Sequence, residues 1–441
     1  EIFVGSVPIG EINAGRDIWS FYSEVSVPIV GSDMKVPFIY SLEANAAFRH
    51  DHYEGVKEDA NVPKFTLRYQ PIKDLTLRAT YSNSFVAPTL YQLFGPISTG
   101  FSPSGLVLNG VQQDQAQVQG GSNPALVPSK AESYTGGLVY SPSFVPGLTI
   151  SADYFRTWQK DIVATLGGTT ILPSVDQFGP ASPYADLVAF GNYPGQQGSI
   201  PVTAPGQLAG NLAAVFYIDN ARNIGIVRVE GFDLSARYNI ELNRFGQLEL
   251  GINAVVFTKY DLKTTPFSDY YSVLGLNFAE FAGGNGGGAN PDYKMTFLAE
   301  YRIAGASLSL NANYIPEMLN GVGHDPETED PSTFDTIRDY IVVDGRLSYT
   351  LKGRTTPGAV ADAKDAKGMV DAKGGAAATD VAGAGVMSPV QRLLDGTTIA
   401  VGCNNIFDED PPFVAGANSA TNLSIYDPFG RFVYFEISKK F

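Results

Sequence analysis

Hydrophobic and polar residues alternate along this chain with a period of two. From Ser307 to Tyr314, leucine, alanine and tyrosine side chains fall on one face, whereas serine and asparagine side chains fall on the other. The segment from Gln247 to Val256 repeats the pattern, as do 40–49, 75–82 and 148–154. Because successive side chains of a β-strand point to opposite faces, the alternation predicts many strands that each have one apolar face.

These segments predict thirteen strands. We place them at 16–29, 37–52, 63–71, 75–85, 131–142, 148–160, 224–241, 246–260, 292–303, 306–316, 339–352, 396–407 and 430–441. Short turns lie at 71–74, 141–147, 243–246 and 304–306, and long connections lie at 86–130, 164–222, 262–290, 317–338 and 408–429. Short periplasmic turns and long extracellular loops are typical of an all-β transmembrane barrel. A soluble β-sandwich is the alternative explanation of the alternation. Nothing in a sandwich requires all of the long loops to lie at one end.

Composition and aromatic positions favour the barrel. Charged residues make up 17% of the chain, whereas about 25% is usual in soluble proteins, and mean hydropathy is only −0.02. No apolar run reaches the roughly 18 residues that a transmembrane helix needs. Several apolar faces end beside a long loop in an aromatic residue, namely Tyr81, Tyr154, Tyr314 and Phe407. Interfacial aromatic girdles have this arrangement.

The count of thirteen strands is odd, whereas single-chain bacterial barrels have an even number. A barrel edge left open in lipid would expose unpaired backbone groups. We therefore expect either that further strands precede Glu1 or that the count misses one strand. The chain also begins without an initiator methionine or a signal peptide, which is typical of a processed or truncated chain.

One connection at the short-turn end is long. The segment 353–395 is rich in alanine, glycine and aspartate and contains the triplet Asp-Ala-Lys three times. Its composition predicts a low-complexity periplasmic insert. A short helix or a docking site for a periplasmic partner is the alternative.

The final segment has one apolar face. Val433, Phe435, Ile437 and Phe441 share the side that we assign to lipid. Lys439 falls on the same side but near the periplasmic end, where its amine can reach the interface.

Charge and cysteine content exclude several classes of protein. The formal net charge of −15 argues against a nucleic-acid partner, because phosphate contacts need lysine and arginine. Cys403 is the single cysteine, so a disulfide framework and a cysteine-rich zinc site are excluded. No catalytic constellation is recognisable. We expect neither enzymatic activity nor a cofactor.

Two weak metal candidates remain. His50 and His52 are two residues apart and share a strand face, so their geometry permits a metal pair. Asp325 lies beside His324 in an acidic loop, where Ca²⁺ or a cation bridging lipopolysaccharide is the functional alternative to a solvated loop. The default prediction is that the chain binds no metal.

Motifs at strand ends resemble those of TonB-dependent outer-membrane receptors. The penultimate strand ends in Asn404, Asn405, Phe407 and Asp408, and the last strand begins at Gly430 and Arg431 and ends at Phe441. The run 78–90, which contains Pro88, is similar to the family's mid-barrel strand and loop entry. Segments 123–132 and 229–234 resemble two further elements. These motifs follow the family's order along almost the whole chain. Cys403, Lys439 and the insert depart from the family pattern.

The resemblance implies a 22-stranded barrel, of which this chain would be the last part, around an N-terminal plug that the chain lacks. It implies a bacterial outer-membrane location, with the C-terminus in the periplasm and with lipid and lipopolysaccharide around the barrel. A TonB box ahead of the plug would contact the TonB-ExbB-ExbD complex. The barrel-assembly machinery would read the terminal Phe441. A separate chain that completes the barrel is an alternative source of the missing segments.

The resemblance further implies TonB-dependent active uptake of a scarce nutrient, such as a siderophore, vitamin, oligosaccharide or peptide. Outer loops would capture it, and aromatic side chains in them are the candidate contacts: Tyr91, Phe94, Phe101, Phe178, Tyr184, Tyr193, Phe278 and Phe281. Packing of the loops against one another is the alternative role for each. A passive porin-like channel and a barrel-anchored surface or structural protein are the alternative functions.

Overall fold

The computed structural model describes residues 11–102, 104–265, 267–277, 288–321, 324, 329–351, 395–417 and 419–439. The predicted insert at 353–395, except for Asp395, lies outside the described residues. So do four predicted site residues, namely Phe278, Phe281, Asp325 and Phe441.

A single antiparallel sheet of thirteen long strands dominates the described residues, as the alternation predicts. The strands are β1 Ile18–Val30, β2 Ser41–Tyr53, β3 Ala60–Ile72, β4 Leu75–Val86, β5 Ser129–Tyr140, β6 Leu148–Ala164, β7 Arg222–Glu241, β8 Gln247–Lys263, β9 Tyr293–Ile303, β10 Ala306–Ile315, β11 Tyr340–Thr350, β12 Thr397–Asn404 and β13 Phe432–Lys439. Each strand pairs with its neighbour in the sequence. Within the described residues, β1 pairs only with β2 and β13 only with β12.

The cross-strand register gives the sheet two chemically distinct faces. On one face Phe65, Leu234, Ile252, Phe297 and Phe435 are all more than a third exposed. The opposite face carries hydroxyl and amide side chains that hydrogen-bond across strands, as Ser151 does to Ser235 at 2.7 Å. An apolar face without any covering layer is typical of a barrel surrounded by lipid. We call these the outer and inner faces.

Aromatic side chains line the outer face near the long-loop end. The rings of Tyr81 and Tyr134 lie 5.0 Å apart, and those of Tyr154 and Phe232 lie 5.4 Å apart. Tyr314 stacks on Tyr293. Tyr81, Tyr154 and Tyr314 therefore occupy the positions expected of an interfacial girdle.

Several strands extend further than the alternation indicates. β6 continues to Ala164, four residues past its predicted end, and β8 continues to Lys263. The pairing between β6 and β7 reaches this region through register shifts after Gln159, and alternation in the sequence is lost there. β12 ends earlier than predicted, at Asn404, because Asn405 takes a left-handed backbone conformation with φ of 50°.

The loops contain the remaining regular structure. Two α-helices, α1 and α2, span Leu90–Phe94 and Gly168–Phe178. Short strands lie at Ser98–Phe101, Val107–Leu108, Val111–Gln112, Gln117–Gly120, Val188–Phe190, Ile200–Pro201, Val215–Ile218, Tyr271–Ser272, Leu276–Asn277, Met318–Asn320 and Thr336–Ile337. Single 3₁₀ turns lie at Gly179–Ala181, Ala185–Leu187, Leu212–Ala214, Asn243–Phe245 and Pro331–Thr333. No helix among the described residues is long and apolar enough to cross a membrane.

The two faces predict that neighbouring lysine substitutions on β8 differ in their effect on stability. Ile252→Lys places a charge on the outer face, and we expect it to lower the free energy of unfolding by about 2–4 kcal/mol. Asn253→Lys places the same charge on the inner face, where we expect a change within about 0.5 kcal/mol. Urea titration of the folded protein in phospholipid vesicles measures both values. Equal losses at the two positions would contradict the assignment of the faces.

Candidate functional site

Two long connections on the first half of the sheet fold together into one body. We call residues 87–128 and 165–221 the first loop assembly. Their short strands form a five-stranded sheet in the order 200–201, 188–190, 215–218, 117–120 and 98–101. Ile171, Leu172, Val175, Leu208 and Val215 are completely buried in its core. The assembly is therefore a folded unit rather than two separate loops.

Asp219 joins the two ends of the connection 165–221, close to the point where it leaves β6 and returns to β7. Its carboxylate accepts hydrogen bonds from the backbone N–H groups of Leu166 and Gly167, at 2.9 and 3.0 Å. Burial raises the pKa of Asp219, although these two hydrogen bonds and the charge of Arg222 act in the opposite direction. Burial also raises the pKa of nearby Tyr217, to about 12. At neutral pH the tyrosine therefore keeps its proton.

The connections on the second half of the sheet form a second body. We call the described parts of 264–292, 316–339 and 405–431 the second loop assembly. The short strands Leu276–Asn277, Met318–Asn320 and Thr336–Ile337 form a three-stranded sheet in this order. Asn277 and Asn422, which are 145 positions apart, share a buried hydrogen bond of 2.7 Å. Burial raises the pKa of Tyr426 in the adjacent core to about 12.

The second loop assembly covers the inner face at the long-loop end. A cavity of about 550 Å³ lies between them. Its inner-face side is formed by Asn313, Tyr340 and Asp344, and its loop side by Ile425 and Asp427. Amide, phenol and carboxylate groups alternate with apolar side chains in this lining. Ligand-binding cavities in proteins have such a mixture.

The Asn-Asn-Ile-Phe-Asp motif holds the loop that borders this cavity. The Asn405 side chain donates to the Glu409 carbonyl at 2.9 Å and accepts from the Glu409 N–H at 2.8 Å. The Asn405 N–H donates to Asp344 at 2.9 Å. The Asp408 carboxylate accepts from the Arg431 N–H at 2.7 Å, which ties the start of β13 to the end of β12. The motif residues thus act on loop conformation.

Four further motif residues lie in different surroundings. Gly430 lies beside Asp408, where an added Cβ would come within 3.0 Å of its carboxylate. The Pro88 carbonyl accepts a hydrogen bond from Arg16 at 2.7 Å. Asn404 pairs with Phe432, and Phe407 is 72% exposed. Sequence reasoning missed Asp344, Tyr340 and Glu409. Asp344 and Tyr340 hydrogen-bond to residues 61 and 87 positions away, and Glu409 lies one residue beyond the motif.

A second polar region lies on the inner face further from the loops. Arg78 on β4 reaches Asp153 on β6 across β5, with an Nε–Oδ1 distance of 2.7 Å. The intervening residue on β5 is Gly137, and a Cβ there would collide with Asp153. These residues border an inner groove of about 520 Å³, together with Asp233 and Asn253. The groove therefore presents charged and hydrogen-bonding side chains on the inner face of the sheet.

A cavity of about 560 Å³ lies mainly on the outer face. Apolar side chains of β1 to β5, including Val25, Phe65 and Leu67, form most of its lining. Lipid acyl chains would fill such a depression in a membrane. It is therefore not a candidate for nutrient binding.

The predicted contact aromatics fall into two groups. Tyr91, Phe94, Phe101 and Phe178 are between 42% and 67% exposed on the first loop assembly. Tyr184 and Tyr193 are buried, and their rings pack edge-on against Phe267 at 6.0 Å and Phe216 at 5.1 Å. Only the exposed group presents its rings at the surface. A role in substrate binding remains a prediction for the whole set.

The histidine pair lies at the long-loop end of the outer face. His50 Nδ1 lies 2.9 Å from Asn61, and His52 Nδ1 lies 2.7 Å from Asp59. Trp19 packs beside both rings, with centroid distances of 5.1 and 5.6 Å. The described part of the chain holds no group of three or more histidine, cysteine or acidic side chains suited to a metal ion.

The two-faced antiparallel sheet, with folded loop assemblies at one end, defines a membrane β-barrel of the receptor type. A family model described as "TonB dependent receptor-like, beta-barrel" matches residues 9–362. The chain belongs to this family, whose members are outer-membrane receptors rather than enzymes.

Solved structures share the fold. A mutant of the ferric enterobactin receptor PfeA of Pseudomonas aeruginosa, in complex with enterobactin, is 16% identical with a TM-score of 0.55. The match covers 96% of this chain and 45% of that one. The siderophore receptor PirA of Acinetobacter baumannii is 13% identical with a TM-score of 0.54, over 95% and 45% of the two chains. This chain thus spans about half the length of these receptors. No curated protein matches it.

The hydrogen bonds of Asn405 predict a graded loss of loop stability. We expect Asn405→Ala to lose about 2 kcal/mol of hydrogen bonding and about 1 kcal/mol more, because alanine is strained at this positive φ. Asn405→Gly loses the same hydrogen bonds without the strain, so it should be about 1 kcal/mol less harmful. Native-state proteolysis between residues 405 and 431 measures the free energy of local opening. A smaller effect for alanine than for glycine would contradict this account.

Proposed function

We propose that this chain forms the barrel portion of a TonB-dependent transporter that takes up a scarce nutrient across the bacterial outer membrane. The observation that carries the proposal is the cavity between the inner face and the second loop assembly. A folded loop body over the inner face can bind a ligand from outside and hold it above the barrel interior. An open channel would gain nothing from such a cover.

We also assign a partner to the inner face. Inner-face ion pairs such as Arg78–Asp153, Arg302–Glu300 and Arg346–Glu436 leave charged groups along the whole sheet. In the proposed transporter these groups face a plug domain within a 22-stranded barrel. The plug would be contributed by a longer form of this chain or by a separate chain. TonB-ExbB-ExbD would act on that plug, and the C-terminus would lie in the periplasm.

The ligand class stays broad: siderophore, vitamin, oligosaccharide or peptide. The similar structures include receptors described as siderophore receptors, but sequence identity of 13–16% supports a shared fold rather than a shared ligand. Exposed aromatic side chains on the first loop assembly suit sugar rings and aromatic chelates equally.

Energy-dependent uptake tests the proposal. Cells that carry the full-length gene should accumulate a radiolabelled nutrient from a panel of these four classes, and cells without the gene should not. Collapse of the proton-motive force, or deletion of the tonB gene, should reduce accumulation at least tenfold, because release from the loops needs work on the plug. Uptake that continues unchanged without energy would instead support the porin-like alternative.

A conductance measurement separates the alternatives independently. The purified receptor, inserted in a planar bilayer, should show no stable pore, because the plug and loops fill the interior. A porin-like channel would conduct ions at once. A surface anchor would neither conduct nor restore uptake in the deletion strain.

The exposed aromatics predict a difference in ligand affinity. We expect Phe101→Ala and Phe178→Ala to weaken binding of the transported nutrient about tenfold each, because an exposed ring that contacts a ligand contributes about 1–2 kcal/mol. Phe144→Ala is the matched control, since this exposed ring lies in the short turn between β5 and β6, at the opposite end of the sheet from the loop assemblies. Equilibrium binding to detergent-solubilised receptor measures all three. Unchanged affinity in both alanine variants would remove these two residues from the binding site.

A further inference from the structure

The outer face carries a group of cations at the long-loop ends of β6, β7 and β8. The register places Arg156, Lys160, Arg228, Lys259 and Lys263 on this face, above the girdle formed by Tyr154 and Phe232. The chain as a whole has a formal net charge of −15. These cations therefore form a local positive sector, just beyond the aromatic girdle, on a chain that is negative overall.

Aromatic rings hold the centre of this sector. The Arg228 guanidinium lies 4.8 Å from the centroid of Trp158 and 3.8 Å from that of Tyr270. The amines of Lys160 and Lys263 approach the same two rings, at 5.4 and 5.7 Å. Three cations thus surround one aromatic pair. We call these five residues the cation–aromatic cluster.

The cations of the cluster have no carboxylate partner among the described residues. The two neighbouring cations outside the cluster, Arg156 and Lys259, both lie near Glu230, at 3.5 and 3.4 Å. In contrast, none of the cluster's three cations forms a salt bridge or donates a hydrogen bond within the described ranges, and Arg228 Nε is buried without a partner. The nearby carboxylates are Glu132, opposite Trp158, and Asp261, opposite Arg228. At the long-loop ends of β6 to β8, this face therefore has five cations against two acids, Glu230 and Asp261.

The position along the strands indicates what the cluster meets. Trp158 and Lys160 lie four and six residues beyond Tyr154, which is roughly 13 and 20 Å along the strand. Below the girdle, Leu234, Ala254 and Ile252 continue the same face as an apolar surface. A ligand with acyl chains on this surface would place its headgroup at the cluster. A free anion would gain nothing from the apolar part.

We propose that the cation–aromatic cluster binds the phosphorylated headgroup of lipopolysaccharide in the outer leaflet. Lys160, Arg228 and Lys263 contact the phosphates, and Trp158 and Tyr270 pack beside the sugar rings. The acyl chains lie along β7 and β8. Cations near a membrane surface attract anionic lipid headgroups, so the three cations should favour a phosphorylated lipid over its dephosphorylated form.

The experiment measures binding of bisphosphorylated lipid A to the intact receptor in detergent. Wild type should bind it at least tenfold more tightly than fully dephosphorylated lipid A. The triple variant Lys160→Gln, Arg228→Gln, Lys263→Gln should lose this tenfold preference and bind dephosphorylated lipid A as before. Inorganic phosphate at millimolar concentration should not compete.

Controls make each result decisive. Lys57→Gln makes the same change at an exposed position in the turn between β2 and β3, and we expect it to keep the full preference. Heat-dependent gel mobility checks that every variant is folded. If the triple variant fails this check, the double variant Lys160→Gln, Lys263→Gln, which leaves Arg228 between its rings, should still reduce the preference several-fold. The proposal is wrong if folded variants keep the wild-type preference, or if inorganic phosphate displaces the lipid.

Discussion

The structure depends on the pairing of backbone N–H and C=O groups, because lipid offers them no alternative partner. The eleven strands between β1 and β13 meet this requirement on both sides, whereas β1 and β13 are each paired on one side only within the described residues. The side chains then have only two environments. Outer positions contact acyl chains and tolerate exposed phenylalanine and leucine, whereas inner positions carry the hydroxyls, amides and ion pairs.

The long loops at one end of the sheet follow a different rule. Above the membrane, water is available, so the loops must bury apolar residues among themselves to stay ordered. They do so by combining across hairpins: one assembly joins the connections on either side of β5 and β6, and the other joins three connections. The proposed binding cavity lies against one of these assemblies, where the sheet fixes where each loop begins and the loop core fixes where its polar groups point.

Alternation in the sequence predicted the number of long strands, their faces and the girdle positions Tyr81, Tyr154 and Tyr314, because these depend on local periodicity alone. The strand-end motif pointed to Asn405 and Asp408, but not to their partners. The bond between Asn277 and Asn422 spans 145 positions, and no local pattern encodes such a pair. The ends of β6 and β8 were missed because the alternation stops before the pairing does. In β6, register shifts follow Gln159, and in β8 the last outer positions, Asp261 and Lys263, are charged.

The aromatic contact between Tyr184 and Phe267 joins the two loop assemblies, since Tyr184 belongs to the first and Phe267 to the second. Each assembly has its own hydrophobic core. Because Phe267 is 68% exposed and meets Tyr184 edge-on, this contact buries much less apolar surface than either core does. We therefore expect separation of the two assemblies to cost less free energy than unfolding of either one.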